Sequence, residues 1–303
     1  MPGHIQSHYP AHPIAFYEPP RLLVRAFVVL IIFLIASVVV LATFHTSQLL
    51  ALVESTNVIP GQIVSPEQQP STANQMGSAA SDADKIIKAN SQFTIGVAIE
   101  DISTGKIELI GETKQFTAAS TGKLLTALDY YHGVEIGKYK LDMPLGAYNA
   151  QFQLKEMIND SDNDSWALLY GYMGNKQLSQ YAASIGVTYN IYDNKLTTAD
   201  LAGLLSKLYA GELLNDRNTK QLLSYMQHTN WESLIPAALP KDITVYHKYG
   251  LIDGNLHDAS IIVKDGKAYS FVVMTRSKDN GDDDDRTMII REITRAVAGD
   301  LFA

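Results

Sequence analysis

Residues 93–110 read FTIGVAIEDISTGKIELI. Positions 93–100 alternate as a strand with one face on a core does. DISTGK, 101–106, gathers Asp, Ser, Thr and Gly, the residues that bend a backbone or hydrogen-bond to it locally. IELI, 107–110, resumes a strand, so the stretch predicts a β-hairpin. Comparable strand patterns return only far downstream, at 244–249, 257–264 and 268–275. The helical period fills the interval, at 120–132, 152–157, 164–173, 176–185, 198–208 and 218–227. An apolar-periodic helix over 286–298 ends the chain. A hairpin at one end and strands at the other imply one sheet assembled from distant parts of the chain, with helices between. No internal repeat is visible.

Toward the N-terminus the texture changes. AFVVLIIFLIASVVVLATF, residues 26–44, carries no charge, and only Ser37 and Thr43 interrupt it. At about 1.5 Å per residue it spans about 28 Å, close to the ~30 Å hydrocarbon core of a bilayer. A buried core helix rarely lacks polar positions on every face. A cleaved signal peptide is the other rival, but no A-x-A site follows the run. Arg21 and Arg25 precede it, and no Lys or Arg appears again until Lys85. The positive-inside rule then predicts a cytoplasmic N-terminus and an extracytoplasmic remainder at the cell membrane. Residues 45–84 are rich in Ser, Gln, Pro and Ala and read as a flexible linker. The expected organisation is a tail (1–25), one transmembrane helix (26–44), a linker (45–84) and a folded domain (85–303).

Composition excludes several functions. The 303 residues contain no Cys, which removes disulfide scaffolds, Cys-ligated zinc, iron–sulfur clusters and a thiol nucleophile. A net charge of −8 argues against a nucleic-acid partner bound by charge neutralisation. A hydrophobic content of 46% argues against global disorder.

Three short motifs carry chemistry. In ASTGK, Ser120 and Lys123 stand at i and i+3 on one face of an expected helix start. A Lys amine beside a Ser hydroxyl can take its proton if burial or cations lower the amine pKa. Alone, the pair is better read as a capping Ser with a solvated Lys. In MINDSDNDSWALL, Ser161, Asp162 and Asn163 form an Asx-rich turn before a helix. There Ser161 could relay a proton and Asn163 could hold an amide. In VYHKYG, Lys248 offers a cation on a strand, and Gly250 allows close backbone approach.

Ser-x-x-Lys, then Ser-Asp-Asn, then a Lys-x-Gly strand, in this order, resembles the signature of the class A β-lactamases and penicillin-binding serine enzymes. The flanks FTAASTGKLL, MINDSDNDSWALL, LTTADLAGLLSKLYAGELL and AALPKDITVYHKYG extend the resemblance over about 91–298. It implies an α/β (α+β) fold: an antiparallel sheet from both chain ends, flanked by helices, plus an all-helical subdomain. It implies Ser120 as acylated nucleophile, Lys123 as its base and Ser161 as proton donor to the leaving nitrogen. Asn163 would hold the substrate amide and Lys248 would attract its carboxylate. Tyr249 and Gly250 would line the substrate, and the Leu251 and Ser120 amides would form an oxyanion hole. No metal or organic cofactor is implied. The partner would be a β-lactam or a peptidoglycan stem-peptide-like substrate.

Two departures from the family pattern stand out. The class A family carries, between the second and third motifs, an Ω-loop Glu that activates the deacylating water. Here SIGVTYNIYDNKLTTADL runs almost directly into the next helix. The only Glu residues between Asn163 and Lys248 are Glu212 and Glu232, and neither aligns with it. Asp193 is the nearest candidate carboxylate. Tyr249 stands where the family has Thr or Ser, and alternation could turn it away from the site. His247 and Arg276 are candidate supporting cations. Asp282–Asp285 reads as a solvated loop capping the last helix. The implied activity is a membrane-anchored β-lactamase-like hydrolase with slow deacylation. A DD-carboxypeptidase-like wall enzyme and a non-catalytic sensor of wall peptide or β-lactam are the alternatives.

Overall fold

The computed structural model describes residues 72–278 and 283–303. The described chain begins with helix α1 (Thr72–Ala89), then the expected hairpin, β1 (Thr94–Asp101) and β2 (Ile107–Gly111). Asp101 ties its turn: Oδ1 accepts from the Ser103 amide at 2.8 Å and hydroxyl at 2.6 Å. Strand β3 (Phe116–Thr117) leads into a 3-10 turn (Ala119–Gly122) and α2 (Lys123–Glu135). The small strands β4 (Pro144–Leu145) and β5 (Tyr148–Asn149) pair with each other before α3 (Ala150–Asn159), α4 (Asn163–Met173) and α5 (Asn175–Ser184). Strand β6 (Lys195–Leu196) returns to pair with β3. Then come α6 (Thr198–Tyr209), α7 (Asp216–Tyr225), the single turn α8 (Ile235–Ala238), β7 (Thr244–Ile252), β8 (Asn255–Lys264), β9 (Lys267–Arg276) and α9 (Asp283–Leu301).

The main sheet is antiparallel with strand order β2-β1-β9-β8-β7. The first hairpin therefore meets the last strands at the centre. Two two-residue turns fix the register of β7–β9. Asp253 and Gly254 have φ of 43° and 72°, and Asp265 and Gly266 have 50° and 78°. Positive φ at both central residues is the hairpin geometry that Asp-Gly favours. Both sheet faces are covered. Ala98, Ala259, Ile261, Val272 and Met274 face the helical subdomain. Their sequence neighbours Val97, Ile99, Ile262, Phe271 and Val273 face α1 and α9. The period-2 alternation of a strand thus feeds two cores.

The helices start where their caps lie. Asn149, Asp162 and Asn215 each accept the amide three residues on, and Thr197 with Asp200 forms a capping box. Asp283–Asp285 occupy the first turn of α9, where carboxylates complement the helix dipole.

The linker expectation over 45–84 is corrected at its C-terminal end. Residues from Thr72 form α1, whose Met76, Ala79 and Ala83 are fully buried against the sheet and α9. Their spacing is helical, but two of the three are alanines, so the stripe is too weakly apolar to stand out from the Ser- and Ala-rich composition. The folded unit accordingly begins well before residue 85. Gln75 Nε2 donates to the Ala303 carbonyl at 3.3 Å, so the two ends of the unit touch. The tail (1–25), the span (26–44) and residues 45–71 lie outside the described residues. Among the described residues, no helix is long and apolar enough to cross a membrane.

Candidate active site

The expected helix start at Ser120 is a 3-10 turn first and an α-helix only from Lys123. Ala119 has φ of 50°, a left-handed conformation that is costly for a residue with a Cβ. It turns half-buried Ser120 into a cavity of about 370 Å³ that Lys123, Asn163, Trp166 and Leu251 also line. Lys123 is only 5% exposed. Its Nζ donates to the Ser161 carbonyl at 2.6 Å, the Asn163 Oδ1 at 2.7 Å and the Asp162 carbonyl at 3.4 Å. Burial pulls the amine down to about 8, against the pull of the Asp162 charge. A lysine near 8 is neutral often enough to act as a base.

Ser161 occupies the bend between α3 and α4 with φ of 58°. Asp162 caps α4 by accepting from the Ser165 amide at 2.6 Å, and these hydrogen bonds hold its carboxyl below the usual range. The cap fixes the bend, and the bend presents the Ser161 carbonyl to Lys123. Asn163 spends its oxygen on Lys123, which leaves its amide N–H groups for a substrate carbonyl.

Strand β7 is the sheet edge that roofs Ser120. The His247 amide points off that edge, donating to the Met226 carbonyl at 2.8 Å. Alternation then points the Tyr249 and Leu251 amides off the same edge. Leu251 lines the cavity beside Ser120. Gly250 faces the 3-10 turn. A Cβ there would stand 2.9 Å from the Ser120 nitrogen and 3.0 Å from the Ala119 Cβ. Gly250 therefore lets the Ser120 turn approach β7, a role separate from the substrate contact expected of it. Lys248 is fully buried, its Nζ donating to the Tyr249 carbonyl at 3.0 Å. Burial and the Lys123 charge both push it well below the ordinary lysine value.

The sequence matches the beta-lactamase enzyme family over residues 78–151 and 146–301. The chain belongs to that family. No curated protein matches it. Among solved structures, it is similar to PBP-A at 24% identity and a TM-score of 0.66, covering 73% of this chain and 94% of that one. A PBP-A mutant solved as its acyl-enzyme complex with penicillin G gives 24%, 0.67, 74% and 96%. An ancestral class A β-lactamase gives 23%, 0.67, 73% and 99%. At such identities these structures bear on the fold, which is the β-lactamase-like sheet and helical subdomain.

Within this family fold, Ser120, Lys123, Asn163 and Leu251 share one cavity. Ser161 joins them through the Lys123 hydrogen bond. Tyr249 is not among the cavity-lining residues: its ring meets Trp231 edge-on at 5.0 Å, its hydroxyl donates to Asn230, and Lys248 Nζ lies 4.0 Å from the ring centroid. Burial pushes its phenol up, and a hydrogen bond with Ser161 opposes this. Its place is thus a brace between β7 and the Ser161 bend. Asp193 is exposed and off the cavity. Glu212 is exposed, and Glu232 accepts from Thr229 and pairs with His247. Arg276 sits exposed at the end of β9, over the Phe116 ring. Sequence reasoning missed Tyr189 and Asn194, which line the cavity from the loop after α5. Their signal was the absence of a Cβ at Gly122, which makes room for both.

Proposed function

We propose that this chain is a membrane-anchored, class A-like serine hydrolase that forms a Ser120 acyl-enzyme with a β-lactam or a related amide and releases it slowly. One observation carries the reading. In the Ser120 cavity, a buried lysine with a pKa near 8 is held against the second motif. Lys123 takes the Ser120 proton, Ser120 Oγ attacks the carbonyl, and the Ser120 and Leu251 amides receive the oxyanion. Ser161 passes a proton to the leaving nitrogen. Asn163 orients the substrate amide; Lys248, fully buried and pushed well below the ordinary lysine value, supplies no cation for its carboxylate in this reading. Slow release is supported by the cavity lining, which among the described residues carries no carboxylate. The same lining supports a second reading, a penicillin-binding DD-carboxypeptidase-like enzyme acting on wall peptide. A site that binds without turnover would instead make a sensor.

The test incubates the purified chain with penicillin G and follows intact mass. A transient adduct with accumulating hydrolysed product supports the β-lactamase reading. A persistent adduct supports the penicillin-binding one. Ser120→Ala abolishes the adduct in both. Absence of any adduct on the unmodified chain sinks both enzymatic readings. Fractionation of cells expressing the chain tests the anchor: recovery in the aqueous phase after removal of membranes would refute it.

A further inference from the structure

The family pattern gives the third motif a substrate carboxylate to hold, and in this chain the motif's polar atoms are engaged elsewhere. Lys248 is fully buried; its Nζ donates to the Tyr249 carbonyl at 3.0 Å and lies 4.0 Å from the Tyr249 ring centroid. Tyr249 stands in the place of a short hydroxyl, but it is buried, its own hydroxyl donates to Asn230, and it is not among the cavity-lining residues.

The neighbouring strands offer no substitute. His257 lies opposite Gly250 across β7 and β8 and is fully buried. Its Nε2 donates to the Thr117 carbonyl at 2.8 Å and its Nδ1 accepts the Thr275 amide at 3.1 Å, so the neutral ring spends both nitrogens. Burial pulls that imidazole down to about 4. Arg286 is fully buried, donating to the Gly254 carbonyl and pairing with Asp283. Arg276 and Lys278 are exposed and outside the cavity lining, the Arg276 guanidinium 5.7 Å from the Phe116 ring centroid. Among the described residues, Lys123 is the only cationic side chain that lines the cavity, and its Nζ is already directed at Ser161, Asp162 and Asn163.

The cavity presents apolar surface instead. Trp166 lines it from α4, stacked on Tyr170 with ring centroids 5.6 Å apart. Leu251 and Ile252 line it from β7, just past the third motif, and are 39% and 44% exposed. A carboxylate laid along this lip would lose hydration with no cation or free hydroxyl in exchange, a far larger cost than a neutral group meets. An apolar group there would cover two aliphatic side chains now facing water.

We propose that the Ser120 site acts on amides and esters whose leaving side is neutral and apolar, lies along Leu251 and Ile252, and ends in no free carboxylate. Ser120 Oγ bonds to the carbonyl carbon and the bond from that carbon to the leaving nitrogen or oxygen breaks, the leaving group taking up a proton. Water then bonds to the acyl carbon, the Oγ–carbon bond breaks, and a free acid and the resting serine remain. An internal peptide bond or a peptide ending in a carboxamide meets this description. A peptide's free C-terminal residue and an ordinary penicillin do not, because each carries a carboxylate beside its leaving nitrogen. The inference rests on the acyl-enzyme reading above and narrows its substrate.

The experiment presents the full chain with two matched pairs: the phenylacetylglycyl ester of lactate against that of lactamide, and penicillin G against its methyl ester. The first pair exchanges only a carboxylate for a carboxamide of the same shape. Adducts are followed by intact mass and released acid by chromatography, each rate divided by that probe's alkaline hydrolysis. The lactamide ester reacts at least as fast as the lactate ester. A lactate ester faster by about threefold or more overturns the proposal, since one charge-assisted contact to a carboxylate is worth about tenfold or more. Ile252→Lys sets a cation on the exposed lip and raises the lactate-to-lactamide ratio about tenfold. An unchanged ratio in that variant, folded by circular dichroism, shows that the leaving side does not lie along β7 and also overturns the proposal. If the variant fails to fold, the ratio on the unmodified chain decides alone. No reaction with any of the four probes ends the acyl-enzyme reading and this inference with it, whereas reaction with preference for the acid ends this inference alone.

Discussion

His247 and Lys248 are neighbours on β7, exposed to 1% and 0%, yet burial leaves them with opposite fates. Burial works against both cations. Around His247 stand Asp258 at 2.9 Å and Glu232 at 3.1 Å, and their charges outweigh burial and push the imidazolium up to about 9. At Lys248 burial comes first and the Lys123 charge adds to it, with Asp258 opposing both, and the amine falls well below its usual value. The partner, more than the depth, decides which side of the strand carries structure and which carries chemistry. The His247 side is compensated and ties down the 229–235 segment: Asp258 accepts the Ile235 amide at 3.0 Å and Glu232 the Thr229 amide at 2.6 Å. On the Lys248 side Asp258 does not offset burial and the Lys123 charge, which favours the neutral amine.

The contrast can be broken from either side. Lys123→Ala removes the base and lowers acylation by penicillin G about 10³-fold, with the folded state retained by circular dichroism. A loss under tenfold would remove Lys123 from the mechanism. Asp258→Ala strips the compensation from His247 and costs about 3–5 kcal/mol in urea unfolding, because it leaves a buried cation without its partner. A cost below about 1 kcal/mol would show that the network is not ionic. Stability also reports on His247 through pH. Its folded value of about 9 lies above the reference value of 6.5. Its contribution is therefore full below pH 6.5 and is lost as pH rises to about 9. His247→Gln flattens that part of the urea-midpoint profile. On the Lys248 side the sign is reversed, because the neutral amine is the active form. Acylation rises with pH and is half-maximal near pH 8, the value of Lys123. The smallest effect belongs to Glu232→Gln. Its side chain is 44% exposed, so solvent screening keeps the loss below about 1 kcal/mol.

Much of this was legible in the residues. The hairpin at 93–110 and the strands after 244 show their alternation openly, and the three motifs stand in order. The two Asp-Gly pairs at 253–254 and 265–266, where β7–β9 turn, were not read as turns from the residues alone. The α1 stripe was hidden because Ala79 and Ala83 pack by smallness. Tyr249 kept its motif position but took a bracing role, which depends on Trp231 and Asn230, distant in neither sequence nor space yet unreadable as a set. Tyr189 and Asn194 were hidden for another reason. Neither is a charged or nucleophilic residue, and their place at the cavity comes from a loop that closes back on Ala118 and Ala119.

The sheet order has a consequence in time. Strand β9 sits between β1 and β8, and the ends of the folded unit meet where Gln75 bonds Ala303. A chain leaving the ribosome carries Ser120 and Lys123 long before it carries the strand that roofs them. The central pairings span most of the unit, and such long-range closure is slow. Until Gly250 arrives over the Ser120 turn, the apolar faces of β1 and α2 are exposed, and this is the interval in which aggregation competes with folding. Joined ends also permit a rearranged gene. A short link from residue 303 to residue 72, with new termini opened at the Asp265–Gly266 turn, would have the ribosome deliver β9, α9, α1 and β1 in one run, so that the central pair no longer waits for the whole unit.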